Sequence, residues 1–205
     1  MTDAIGIAAL GALLGLRHAA DADHVVAVTT IVAREPGLRR AAAVGALWGL
    51  GHSTTILLVG GTLIALRVAM PPRLAVALEL VVAAMLVLLG VRALRAGRTP
   101  AAAAPGSALR PLVVGTVHGL AGSAAVTLLV LASIRDPRWA VAYLAVFGLG
   151  TVAGMVGVTL LLAAPAALAG TRLPPLQRGL QLAAGTASVV LGVVMANGLV
   201  RELTP

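Results

Sequence analysis

The sequence contains no cysteine and no lysine, only four aromatic residues in 205, and only seven acidic ones. Without thiols it forms no disulfide, no thiolate metal site and no cysteine nucleophile. Charged residues make up 11% of the chain, too few to clothe a water-soluble domain of this size. That scarcity excludes a cytosolic enzyme, a disordered chain and a coiled coil. What is present is apolar: 60% of residues are hydrophobic and the mean hydropathy is +1.03. All fifteen basic residues are arginine, giving a formal net charge of +8. Most sit in short gaps between long apolar runs, which marks membrane topology and not a nucleic-acid footprint.

A bilayer core about 30 Å thick requires about 20 mostly apolar helical residues per crossing, because lipid cannot satisfy exposed backbone groups. Six segments meet this demand, at 4–32, 41–66, 73–95, 109–134, 138–165 and 178–200, the fifth ending at Pro165. The connectors collect breakers and charges, as in Arg34-Glu35-Pro36-Gly37, Pro71-Pro72-Arg73 and Arg135-Asp136-Pro137-Arg138. A single transmembrane domain, all α, accounts for residues 1–205. The leader Met1-Thr2-Asp3 has no basic residue and no cleavage pattern follows the first apolar run, so that run is expected to stay in the mature protein. Nine arginines fall in the odd-numbered loops and five in the even ones or at the C-terminal end. The odd loops are therefore expected to be cytoplasmic, in a multi-pass inner-membrane protein with both termini outside.

Similar residues recur at nearly constant spacing. His18 is matched by His118, Gly49-Leu50-Gly51 by Gly148-Leu149-Gly150, and Leu78-Glu79-Leu80 by Leu180-Gln181-Leu182, at offsets of 100, 99 and 102. This pattern predicts a duplicated three-helix unit, residues 1–96 and 111–205, joined by a linker at 97–110. Three crossings is an odd number, so the second copy enters the membrane upside down, the inverted-repeat plan of secondary transporters. The competing reading is chance similarity among helices rich in Leu, Gly and Ala.

The first segment holds Arg17-His18-Ala19-Ala20-Asp21-Ala22-Asp23-His24 in mid-span. Facing lipid, Arg17, Asp21 and Asp23 alone would cost on the order of 8 to 10 kcal/mol. They must face inward. On a continuous helix Asp21 lies about 60° from both His18 and His24, while Asp23 points elsewhere. A local unwinding would let Asp23 join the stripe. Arg17 is placed to neutralise Asp21 one turn on. Imidazole and carboxylate together suit a divalent transition metal. The second segment adds His52 in Leu50-Gly51-His52-Ser53-Thr54, among glycines at 45, 49, 51, 60 and 61 that permit close helix approach. His52 is then either a ligand or a buried hydrogen-bonding histidine, and the neighbouring His/Asp stripe favours ligation.

Together these stretches resemble the nickel/cobalt transporter (NiCoT or NicO) superfamily. His18-x4-Asp23-His24 inside RHAADADHVVAV is similar to its signature helix, and Leu50-Gly51-His52-Ser53-Thr54 to its second motif. The resemblance implies a permease for Ni²⁺ or Co²⁺ as transported substrate, with His18, Asp23, His24 and His52 recognising the metal and no permanent cofactor. Larger members carry the signature on their second helix, whereas here it is on the first. The run His118-Gly119-Leu120-Ala121-Gly122-Ser123 is similar to that of compact permeases associated with urease maturation. The implied partners are a divalent ion and the bilayer, with room for self-association and for a metallochaperone or urease-maturation protein, and no nucleic acid.

His118 is a further ligand, a gate or a packing histidine. Glu79 carries a proton, balances metal charge or snorkels toward the interface. Ser123, Thr127 and Thr151 read as helix-to-helix hydrogen bonders, Met70, Met85, Met155 and Met195 as apolar filler, and Trp139 and Tyr143 as an anchor at one end of segment five. Two other function classes use the same residues differently. An intramembrane metal-dependent hydrolase would activate water on the cluster, but no HExxH pair is present; a small-molecule exporter would use the histidines only for packing. Neither displaces the expectation of a non-enzymatic permease.

Overall fold

The computed structural model describes residues 2–33, 37–96, 109–134, 136–169 and 174–203. Among these residues every regular element is helical. The first segment is split into α1 (Thr2–His18) and α2 (Ala22–Val32). The second is α3 (Leu38–Thr55), which passes through a π-helical turn (Ile56–Gly60) into α4 (Gly61–Leu66). Then come α5 (Pro72–Ala96), α6 (Leu109–Ser133), α7 (Pro137–Ala169) and α8 (Pro174–Leu203). Among the described residues, four stretches are long and apolar enough to cross a membrane by themselves: Leu38–Leu66, Pro72–Ala96, Pro137–Pro165 and Arg178–Glu202. The protein is an all-helical membrane protein.

Helices that are apolar on every side cannot be sorted by an inward hydrophobic face; in lipid they associate where small residues let backbones approach. That is how this bundle is built. α1 packs along α7, α3 lies between α6 and α7, and α5 runs beside α8. A Cβ at Gly15 would overlap the Phe147 carbonyl, and one at Gly115 the Trp48 carbonyl. Gly51 meets Leu112 and Gly150 meets Ala12 in the same way, while Gly90 lies against Gly185. Large side chains left over face outward, including Leu88, Leu149 and Leu161, as lipid contact requires. The interior is filled by Trp48, Leu86, Val28, Val82 and Met155.

Three expectations change. Segment five does not stop at Pro165, because α7 continues to Ala169. A proline forfeits only the bond to the carbonyl one turn earlier, a loss that membrane helices absorb. Tyr143 is buried and stacked on Phe147 instead of anchoring an interface, whereas Trp139 is exposed. α6 begins at Leu109, inside the linker expected at 97–110, and residues 97–108 lie outside the described residues.

Candidate metal centre

The centre begins with the interruption of the first segment. After His18 the backbone tightens, with the Ala20 N–H donating to the Arg17 carbonyl and the Asp21 N–H to the His18 carbonyl. Asp21 is extended, at φ −62° and ψ 147°, and α2 starts at Ala22. Asp21 therefore stands where a helix N-cap stands. Its carboxylate does not cap α2 but accepts from His18 Nδ1 at 2.9 Å. With that nitrogen protonated, His18 Nε2 carries the lone pair and accepts from Nε2 of His52; a carboxylate fixing the tautomer in this way is also what a metal-ligating histidine uses.

The break also turns Asp23 inward, as unwinding was expected to do. Oδ1 of Asp23 accepts the His24 backbone N–H at 3.0 Å, and Oδ2 lies 2.7 Å from Nε2 of His118 on α6. α3 delivers His52, whose Nε2 sits 3.0 Å from Nε2 of His18. The ring of His24 is at the middle of the group. It stacks on His118 at a centroid separation of 4.3 Å and meets the rings of His18 and His52 edge-on at 4.6 and 4.9 Å. Two overlapping triads result, His18–His24–His52 and Asp23–His24–His118, each with ligand atoms within 4.8 Å of one another. His24 belongs to both.

His24, His52 and His118 are essentially inaccessible to solvent, at 2%, 0% and 3% exposure. Both ring nitrogens of His24, and Nδ1 of His52 and His118, have no hydrogen-bond partner. A buried polar atom without a partner loses its hydration for nothing in return. These unpartnered nitrogens lie within a cluster of four imidazoles, and lone pairs of this kind are what a histidine-ligated cation would satisfy. A cavity of about 140 Å³ opens beside them, lined also by Glu79, Val82 and Met195.

The residues singled out from sequence thus fall into three groups. His18, Asp23, His24, His52 and His118 are assembled; Asp21 is exposed and touches the group through His18. Glu79 faces the same cavity, half-buried. Arg17 does not neutralise Asp21: it is exposed and forms no ion pair among the described residues. The i,i+4 relation needs a continuous helix, and the helix stops between them. Thr151 does not bridge helices either, since its hydroxyl donates to the Phe147 carbonyl of its own helix. Ser53 does bridge, donating to the Gly148 carbonyl. The side chains of Ser123 and Thr127 lie outside the described residues.

Sequence reading passed over Trp48 and Phe147. Trp48 is fully buried with its ring 6.0 Å from that of His118; Phe147 covers His18 at 5.3 Å. The available signal was spacing, for Trp48 precedes His52 by one turn and so shares its face.

No family profile and no solved structure matches the chain. It is 32% identical over 207 residues to the urease accessory protein UreH of Bacillus sp. (strain TB-90), an alignment that spans 93% of this chain and 90% of that protein. With the signature residues gathered at one point and this relative matched nearly end to end, the chain belongs to the UreH group of the nickel/cobalt transporter superfamily.

Proposed function

We propose that the protein is a secondary permease that carries Ni²⁺ or Co²⁺ across the inner membrane through the His/Asp centre between α1, α2, α3 and α6. The observation that carries this reading is the convergence of four imidazoles and Asp23 in a membrane-embedded core, with buried nitrogens unpartnered. The name of the relative, a urease accessory protein, supports supply of the metal to urease maturation, with a metallochaperone or maturation protein receiving it on the cytoplasmic side.

Alternating access by a six-crossing, inverted 3+3 repeat completes the reading. Its support lies in helix contacts that recur when about 100 is added to one partner and subtracted from the other. Gly15 against Phe147 becomes Gly115 against Trp48; Gly51 against Leu112 becomes Gly150 against Ala12; Gly90 against Gly185 becomes Gly192 against Ala83. Contacts exchanged in this way are what a two-fold axis in the membrane plane produces. The chemistry has diverged while the packing has not, since Thr151 occupies the position corresponding to His52. With the odd loops cytoplasmic, both termini are outside.

The test is Ni²⁺ influx into liposomes containing the purified chain, followed with a trapped metal-responsive dye. Saturable influx in the wild type, reduced at least tenfold in His24→Ala, is the expected result. Influx no faster than in empty liposomes, or unchanged in His24→Ala, rejects the proposal.

A further inference from the structure

We propose that the seam between α5 and α6 binds one anionic phospholipid, with its phosphate between Arg92 and Arg110 and an acyl chain in the groove between the helices. A cavity of about 380 Å³ lies there, lined by Met85, Leu89, Val113 and Val114 along its length and by the two arginines. Its volume is within the roughly 300–1,000 Å³ of small-ligand sites. The groove opens toward lipid, where Leu88 and Val113 are 64% and 58% exposed. None of the His/Asp ligands lines it, and it stands independently of the permease reading.

Charge decides the occupant. Arg92 lies one turn before the end of α5 at Ala96, and Arg110 is the second residue of α6. Both guanidiniums are therefore at headgroup depth, where anionic lipid attracts basic side chains. They share one cavity, yet every ion pair among the described residues involves a histidine and neither arginine takes part. Two like charges facing one groove repel unless an anion stands between them. The connecting residues 97–108 contain no Asp or Glu and add another arginine, Arg98, so that connection does not supply the anion. A free phosphate would answer the charge but leave the apolar channel unfilled. A lipid answers both, and arginine holds its phosphate by paired hydrogen bonds.

Native mass spectrometry of the full-length chain in detergent tests this, with phosphatidylglycerol, phosphatidylcholine and sodium phosphate as probes. One phosphatidylglycerol should be retained per chain under conditions that strip phosphatidylcholine, and equimolar sodium phosphate should not displace it. In Arg92→Gln/Arg110→Gln, phosphatidylglycerol affinity should fall roughly tenfold or more, and Arg92→Lys/Arg110→Lys should recover part of it. Ni²⁺ binding should be the same in all three proteins. Equal retention by the glutamine variant, equal retention of phosphatidylcholine, or displacement by sodium phosphate overturns the proposal. If the glutamine variant does not fold, Val113→Trp fills the groove with both arginines in place; phosphatidylglycerol retention should then fall, and unchanged retention overturns the proposal.

Discussion

Asp23 and His118 are 95 residues apart in sequence and 2.7 Å apart in the fold, joined through Oδ2 and Nε2. This contact ties the first turn of α2 to the middle of α6, and so fastens the two halves of the chain at the candidate metal centre itself. Asp23 can hold His118 in one tautomer, leaving Nδ1 of that ring for a ligand. Removing either partner frees the other, so the two losses should overlap. Asp23→Asn and His118→Ala are each expected to weaken Ni²⁺ binding about 10- to 100-fold, and the double variant should lose little more than the worse single one. Calorimetric titration of the four proteins measures this. Undiminished affinity in His118→Ala would make that histidine a packing residue.

Asp21 has a different task. It is exposed and reaches the centre only by accepting from Nδ1 of His18. Asp21→Asn keeps the size of the side chain but offers an amide in place of the charge that orients the ring. The expected effect is about a tenfold loss of Ni²⁺ affinity, smaller than that of His18→Ala, which removes the ligand. Equal losses in the two variants would place Asp21 in direct contact with the ion.

Much of this was legible before any coordinates. The spans are apolar runs whose ends fall within a few residues of the helices, because hydrocarbon thickness dictates their length. His18, His24 and His52 announced themselves as polar groups in an apolar setting. The position of the α1–α2 break was harder, since Ala19-Ala20-Asp21-Ala22 contains neither glycine nor proline and the one local sign is Asp21 at an N-cap. The Arg17–Asp21 pair failed for the same reason, as a one-turn spacing presumes an unbroken helix. His118 stayed open between ligand, gate and packing histidine, because its partner Asp23 lies on another helix and no local pattern reports a contact across 95 residues.

Glycines at the helix crossings should tolerate no side chain. A Cβ at Gly51 overlaps the Leu112 carbonyl and one at Gly115 the Trp48 carbonyl; backbone atoms cannot rotate aside. Gly51→Ala and Gly115→Ala are each expected to cost about 1–3 kcal/mol or more, seen as a lowered unfolding temperature in detergent. Gly157, on α7, has nothing within 4 Å of the added carbon. Gly157→Ala should therefore raise stability by about 0.5–1 kcal/mol through helix propensity alone. If all three variants shift alike, the crossings are not held by close backbone approach.

Arg67 ends α4 in the left-handed region, at φ 55° and ψ 37°, the one non-glycine residue with positive φ among those described. Its N–H donates to the Ile64 carbonyl at 3.1 Å and that of Val68 to the Leu63 carbonyl at 3.0 Å, so the turn is a regular helix stop. An L side chain there costs roughly 1–2 kcal/mol, a penalty glycine avoids. Part of that gain is lost because glycine has more freedom in the unfolded chain. Arg67→Gly should stabilise the protein by about 0.5–1 kcal/mol, and Arg67→Val, with its branched Cβ, should destabilise it. The side chain is exposed and makes no ion pair among the described residues, so neither change removes a contact that would mask the backbone effect. Thermal unfolding in detergent separates the two, and a Gly variant that melts below the wild type would show that the arginine side chain, not the backbone, sets the stability of this turn.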